Sequence, residues 1–219
     1  GFNSSILMVE NSTQTLEDEE YAYHDPFLKQ GFHEFGNFSI LSHQKLAIKN
    51  VGSPENSFQV QALRSPEDFY WVLQDPIPLA GMCLPETNWP WQSIHDCGFN
   101  NLVSLHPMEY DPTPLTSIYS YLEGLVHGDP PKNPLLEISK IRSATSAILQ
   151  SLSDCKGVVV HCWGGRGRTG TVLGCVLREL GYEGETVVKY LDEIQRVRGR
   201  KGWPEAVWQS EIVRKWPDV

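Results

Sequence analysis

The chain has 219 residues, enough for one domain with a sizeable core, and its 27 acidic and 18 basic side chains give a formal net charge of −9. This negative charge argues against general binding to nucleic acids or bilayers, which usually requires a basic surface. No run of 18 apolar residues predicts a membrane span, and five cysteines without paired spacing indicate a reducing, cytoplasmic compartment.

Residues 1–60 differ in composition from the rest of the chain. Polar stretches and an acidic run at 17–20 separate short apolar pieces, so we expect an N-terminal extension of uncertain structure. From residue 61 to 219 the pattern is that of a globular domain. It opens with two predicted strands, 69–73 and 78–82, followed by a short helix at 91–96 that ends at Gly98 and a strand at 101–105.

A long helix is predicted next, with Asn133 as its cap and Pro134 in its first turn. Its apolar face is formed by Leu135, Ile138, Ile141, Ala144, Ile148 and Leu152. A β-branched strand follows at 157–160, and after a glycine-rich loop a buried helix begins near Arg168 and ends at Gly181. Two further helices are predicted, at 185–197 and at 202–216, the latter with Pro204 in its first turn. The inward residues of the last are Trp203, Val207, Ile212 and Trp216.

The glycine-rich loop has the composition of an anion site. Three of its residues tolerate a positive φ: Gly164, Gly165 and Gly167. The N–H groups of residues 163–168 can therefore converge on one centre, at the positive end of the following helix. Arg168 can present a planar fork to two phosphoryl oxygens. Cys162, surrounded by these dipoles, is expected to be a thiolate aimed at phosphorus.

The order His161, Cys162, five residues, Arg168 and Thr169 resembles the signature of the cysteine-based protein tyrosine phosphatase superfamily. The succession of elements over residues 69–216 is most similar to the small dual-specificity phosphatases. This resemblance implies an α/β fold with a central, mainly parallel twisted sheet flanked by helices and a strand–loop–helix active site. It also implies hydrolysis of phosphomonoesters through a cysteinyl-phosphate.

The resemblance implies a role for each loop residue. Cys162 is the nucleophile, Arg168 binds the phosphoryl oxygens and Thr169 donates its hydroxyl to the thiolate. His161 is expected to hydrogen-bond to the backbone and hold the shape of the loop. The residues expected to surround the substrate are His161, Trp163, Gly164, Gly165, Arg166 and Gly167.

Expulsion of an alkoxide or phenoxide requires a general acid from a second loop. Asp129, 33 residues before Cys162, matches the arrangement of the family, and Asp111 is the alternative; both also precede proline, as turn residues often do. In the second step Asp129 would act as the base for a water molecule that Gln209 helps to place. Alternatively, Gln209 is a surface residue of the last helix.

Other readings of the sequence stay open. Arg166 adds a cation to the loop, which is compatible with a phosphoinositide, inositol phosphate or RNA-end phosphatase, and a catalytically weak phospho-reader is a further alternative. A basic cluster is either a solvated helix end or, with Arg166 and Arg178, a positive rim: Arg196, Arg198, Arg200 and Lys201. Because the histidines are scattered, no metal site or cofactor is predicted. The expected partner is a phosphorylated protein or another phosphomonoester.

Overall fold

A five-stranded sheet forms the centre of the computed structural model, which describes residues 46–52, 59–75, 77–124 and 129–219. The strands are β1 (Phe69–Leu73), β2 (Leu79–Met82), β3 (Phe99–Ser104), β4 (Thr116–Tyr119) and β5 (Gly157–His161). Their order in the sheet is β1-β2-β5-β3-β4. β1 runs antiparallel to β2, and the other three pairs are parallel. The predicted central, mainly parallel sheet is thus confirmed.

Helices cover both faces of this sheet. They are α1 (Trp91–Asp96), α2 (Pro134–Ser153), α3 (Gly167–Glu179), α4 (Gly184–Val197) and α5 (Val207–Lys215), with a short 3-10 helix at Ile48–Asn50. Residues of α2 to α5 share one buried cluster with Val158 and Val160 of β5, whereas α1 packs on the opposite face with Val159. None of the helices in these described ranges combines the length and the apolar character needed to cross a membrane.

The long helix α2 begins as its cap residues predict. Asn133 Oδ1 accepts the N–H of Leu136 at 3.1 Å, and Pro134 occupies the first position. The apolar face is buried from Ile141 onward, but Leu135 is 81% exposed. Val207, in the first turn of α5, is 68% exposed. The sequence prediction was wrong for Leu135 and Val207, because the buried side of each first turn carries polar residues instead: Glu137 in α2, and Gln209 and Ser210 in α5.

Other differences from the sequence prediction lie at the edges of the fold. β4 was not predicted, because this edge strand is half exposed and carries a single large aliphatic residue, Ile118. Leu46 and Val51, from the predicted N-terminal extension, are buried in the main core, and Val51 O accepts the Trp71 N–H at 2.8 Å. Most of the extension lies outside the described residues, so the domain boundary at residue 60 stays a prediction.

The parallel strands bring three chain segments to one edge of the sheet. In the strand register, His161 at the end of β5 is paired with Met82 at the end of β2 and Ser104 at the end of β3. The connections that leave these strands therefore start side by side. Clefts outside the carboxyl ends of parallel strands are the usual ligand sites of α/β sheets.

Candidate active site

The carbonyl groups of the loop between β5 and α3 accept hydrogen bonds from residues outside the loop. Trp163 O accepts the N–H of Leu84 at 2.8 Å, and Gly164 O accepts Nη2 of Arg198 at 3.1 Å. Gly165 O accepts Nη1 of Arg198, also at 3.1 Å. In a trans peptide the carbonyl of one residue and the N–H of the next point in opposite directions. The N–H groups of residues 164–166 consequently face the centre of the loop.

These inward N–H groups form a ring of free donors. Among the described residues, the N–H groups of residues 163–168 have no acceptor within the protein. Gly165 makes the tight course of the loop feasible: its φ is +71°, and a Cβ at this position would lie 2.4 Å from the carbonyl oxygen of Met82. With the N-terminus of α3, the ring suits an anion of the size and charge of phosphate.

A tyrosine from the first strand supports the same loop. The hydroxyl of Tyr70 donates to Gly165 O at 2.6 Å, and burial raises the pKa of this hydroxyl to about 12. Gly81, in the neighbouring strand β2, leaves room for the tyrosine: a Cβ there would lie 2.2 Å from its ring. Glycine at position 81 is therefore explained by the packing of β1 against β2, which the sequence did not reveal.

Arg198 is buried and supports the loop from outside. The sequence predicted either a solvated helix end or a positive rim at this residue, and both predictions were wrong. Its side chain is 4% exposed, and its guanidinium lies 4.5 Å from the ring centre of Tyr70. Besides the loop carbonyls, it donates to Pro66 O, Glu67 O and Gln195 Oε1. Burial lowers the pKa of this guanidinium, so the cation is kept at a desolvation cost that its many acceptors offset.

The other arginines of the predicted basic cluster, and Arg178, lie in different environments. Arg196 pairs with Asp192 at 3.0 Å on the exposed face of α4, as expected for a solvated helix end. Arg178 donates to Tyr182 O at the C-terminal end of α3, away from the loop, so it does not belong to a positive rim. Arg200 lies at the mouth of the loop, with Nη1 4.0 Å from the position of a Cβ on Gly164.

Arg168 is oriented by the connection that follows β4. Its Nη1 donates to Leu122 O and to Nδ1 of His106, both at 3.2 Å. Gly124, with φ at +63°, packs so closely on this side chain that a Cβ would lie 2.3 Å from Cδ of Arg168. Burial and the nearby guanidinium lower the pKa of His106, which also contacts Trp163 edge to face. Sequence reasoning did not identify His106, since no motif links it to the loop.

His161 holds the backbone as predicted. The ring is fully buried, and Nδ1 lies 2.9 Å from the carbonyl oxygen of Cys162. On the other side, Nε2 lies 2.7 Å from the hydroxyl of Tyr110 and 3.1 Å from Ser104 Oγ. Tyr110 also bonds to Ser104 and stacks on Trp91. Burial lowers the pKa of His161 to about 4, so the imidazole is neutral at physiological pH.

Thr169 and Gln209 are fully buried, and each has one polar atom without a partner among the described residues. For Thr169 this atom is Oγ1, so the predicted hydrogen bond to Cys162 is not formed in this structure and the role of the hydroxyl stays a prediction. For Gln209 it is Nε2, which faces Gly167, while Oε1 accepts the N–H of Glu205 at 3.0 Å. The surface alternative for Gln209 was therefore wrong.

A cavity of about 330 Å³ opens over the loop. It brings together six residues that the sequence singled out: Cys162, Trp163, Gly164, Arg166, Arg168 and Gln209. Arg200, a member of the predicted positive rim, and Glu205, which was not assigned to the site from the sequence, complete the lining. The nucleophile candidate Cys162 is 3% exposed, so it lies at the floor of this cavity.

The guanidinium of Arg166 makes most of its hydrogen bonds within the protein. Its Nε donates to Gly202 O at 2.6 Å, and its Nη2 donates to Lys201 O at 2.8 Å. Its Nη1 lies 4.0 Å from Oε1 of Glu205. Arg166 therefore ties the loop to the segment before α5. This arrangement weakens the interpretation of Arg166 as an additional cation for the substrate.

The two acid candidates lie in different settings. Asp111 accepts the N–H and the hydroxyl of Thr113, at 3.1 and 2.6 Å, and these hydrogen bonds lower its pKa. A carboxyl held in its ionised form by a turn is poorly suited to donate a proton. Asp129 is exposed and does not line the cavity, and residues 125–128 before it lie outside the described residues. Its assignment as the acid stays a prediction.

The chain is similar to known phosphatase domains in sequence profile and in fold. The profile of one family, described as a Swiss Army Knife protein, DSP-PTPase phosphatase domain, matches residues 66–203. Among solved structures, the kinase associated phosphatase superposes with a TM-score of 0.52 at 13% identity, covering 71% of this chain and 97% of its own, and shares the fold.

Two other solved structures are similar at a lower level. TpbA of P. aeruginosa has a TM-score of 0.49 at 18% identity, with 72% of this chain and 89% of its own covered. The PP-IP phosphatase SIW14 of S. cerevisiae has a TM-score of 0.47 at 17% identity, with 64% and 81% covered. No curated protein sequence matches the chain.

Proposed function

Since the chain belongs to the family of Swiss Army Knife DSP-PTPase phosphatase domains, we propose that it hydrolyses phosphomonoesters through a covalent cysteinyl-phosphate on Cys162. The observation that carries this proposal is the ring of free N–H groups above Cys162, which the outward carbonyls of residues 163–165 leave facing the cavity. Arg168 supplies a cation at the rim of the same ring. A phosphoryl group bound there presents its phosphorus to the sulfur.

In the first step, the Cys162 thiolate attacks phosphorus, the bond to the leaving oxygen breaks, and Asp129 donates a proton to that oxygen. The N–H ring and Arg168 bind the equatorial oxygens more tightly as charge spreads over them in the transition state. His161, neutral because it is buried, holds the carbonyl of Cys162 in place. In the second step, water hydrolyses the thiophosphate bond, with Gln209 placing the water molecule.

For the substrate, we propose a phosphorylated protein of the tyrosine or dual-specificity type. Trp163 stands beside the cavity with 64% of its surface exposed, and His106 packs against its ring. An aryl ester can stack on this exposed indole while its phosphate reaches Cys162. The alternative substrates are phosphoinositides, inositol phosphates and RNA ends. Arg200, not Arg166, is the residue that favours them, because it is the cation at the mouth of the loop.

The proposal is tested by hydrolysis of a chromogenic aryl phosphate in excess chelator over roughly pH 5 to 8, with Cys162→Ser as the matched variant. We expect activity in the parent protein and none in the variant, while both unfold with the same cooperativity. Activity that survives in Cys162→Ser would refute the covalent mechanism. A folded parent without activity toward aryl phosphates, phosphopeptides and inositol phosphates would instead indicate a phospho-reader.

The acid is tested with an alkyl phosphate, whose leaving group needs a proton more than that of an activated aryl ester. Asp129→Asn should lower its turnover by about 10²- to 10⁴-fold, the usual contribution of general acid catalysis. Asp111→Asn is the matched control and should leave turnover within about threefold, because Asp111 only closes a turn on Thr113. The reverse order of effects would move the acid assignment to Asp111.

A further inference from the structure

The cavity over the loop contains a carboxylate that the proposed mechanism has not used. Among the described residues, Glu205 is the sole acidic side chain that lines it together with Cys162 and Arg168. Asp129, to which the family resemblance gives both the acid and the base role, is not part of this lining. Placing a carboxylate in an anion site opposes binding of phosphate, so Glu205 calls for an explanation other than substrate affinity.

Glu205 and Gln209 converge on one point beside the loop. A Cβ at Gly167 would lie 2.5 Å from Oε1 of Glu205 and 3.0 Å from Nε2 of Gln209. The carboxylate oxygen and the amide nitrogen are thus neighbours at the first residue of α3, and the N–H of Glu205 donates to Gln209 Oε1 at 3.0 Å. This hydrogen bond fixes which end of the Gln209 amide faces the loop.

The free polar atoms of this pair are complementary to water. Nε2 of Gln209 is buried without an acceptor among the described residues, so it can donate to a water oxygen. Oε1 of Glu205 can accept a hydrogen from the same water molecule. A water molecule held by one donor and one acceptor keeps a lone pair free for attack on phosphorus.

The surroundings of Glu205 suit a proton acceptor. Nη1 of Arg166 lies 4.0 Å from Oε1 and helps to position this carboxylate, since Arg166 is itself fixed by the carbonyls of Lys201 and Gly202. The Glu205 side chain is 35% exposed, so a proton taken from water can return to solvent.

We propose that Glu205 is the general base of the second half-reaction, the hydrolysis of the cysteinyl-phosphate, and that Asp129 acts only as the acid of the first. In this step the water oxygen forms a bond to phosphorus, the bond from sulfur to phosphorus breaks with its electron pair returning to Cys162, and the water proton passes to Glu205. The products are inorganic phosphate, the Cys162 thiolate and a protonated Glu205. This inference rests on the proposed covalent mechanism.

Rapid-quench kinetics with excess aryl phosphate separate the two half-reactions. In Glu205→Gln, about one equivalent of phenol per enzyme should appear at the parental rate, followed by steady turnover reduced by about 10²- to 10⁴-fold. Acid-quenched protein should then carry stoichiometric phosphate on Cys162. Glu211→Gln, an exposed glutamate on α5 outside this cavity, is the matched control and should behave as the parent.

The outcomes distinguish this inference from the proposed function. If Glu205→Gln slows the burst and the steady state equally, or neither, Glu205 is not the base, although the covalent mechanism stands. If the parent itself never forms a phosphoenzyme, the proposed function fails. Should Glu205→Gln not fold, Glu205→Asp keeps a shorter carboxylate and should show the same accumulation of phosphoenzyme to a smaller extent. Parental kinetics in Glu205→Asp would then overturn the inference.

Discussion

Replacement of Arg198 by methionine tests whether the loop is shaped by its outward carbonyls. The guanidinium donates to Gly164 O and Gly165 O, at 3.1 Å each. Two hydrogen bonds from a charged donor are worth about 3 to 6 kcal/mol. Methionine also loses the hydrogen bonds to Pro66 O, Glu67 O and Gln195 Oε1. It removes the cost of burying the cation, which is visible in the lowered pKa of Arg198, so we expect a net loss of at least about 2 kcal/mol.

Tyr70→Phe is the matched variant, since it removes one hydrogen bond to the same carbonyl. Gly165 O keeps its bond from Arg198, so the loss should be about 1 kcal/mol. Equilibrium unfolding in urea measures both free energies. Inhibition by inorganic phosphate measures how well the loop binds an anion. The inhibition constant should rise more than about tenfold in Arg198→Met and less than about threefold in Tyr70→Phe.

Two results would refute this reasoning. If the free energy of unfolding of Arg198→Met were within about 1 kcal/mol of that of the parent, the hydrogen bonds to the loop would contribute far less than their geometry indicates. If stability fell but phosphate inhibition were unchanged, the N–H groups would keep their orientation without the outward carbonyls. Arg198→Lys retains the charge without the planar fork. Its free energy of unfolding and its inhibition constant should lie between those of the methionine variant and the parent.

Three further predictions concern single positions. Gly165→Ala should lower the free energy of unfolding in urea by more than the roughly 1–2 kcal/mol that a left-handed backbone costs a non-glycine residue, and it should abolish activity. Gly199→Ala is the control: φ is also positive there, at +81°, but the space around it is open, so it should lose only about 1–2 kcal/mol and stay active. Glu137→Gln should lower stability by about 1.5–3 kcal/mol, because the buried carboxylate accepts two N–H groups of the segment that holds Arg168; equal urea midpoints would contradict this. The pKa of His161 is about 4 in the folded protein against 6.5, so stability should be complete above pH 6.5 and fall by about 2–3 kcal/mol toward pH 4.5, a dependence that should shrink in His161→Asn.

Local signals in the sequence predicted most of the elements and the core of the site. The cap at Asn133, the β-branched run before Cys162 and the glycines after it each act on residues within one or two turns of chain, so their effects can be read from neighbours alone. They predicted the helix α2, the strand β5 and the glycine-rich loop between β5 and α3. The same signals did not predict β4, whose half-exposed edge position leaves no clear alternation.

Tertiary structure decided which distant residues shape and complete the loop. Tyr70 and Arg198 meet at Gly165 across separations of 95 and 33 residues, and only the packing of β1 and α4 against the loop brings them there. The sequence grouped Arg198 with its exposed neighbours because charge and spacing do not reveal burial. Likewise, Glu205 lies beside Gly167 because α5 packs on α3. Nearby residues determine local conformation, whereas the partners of a polar group depend on how the elements pack.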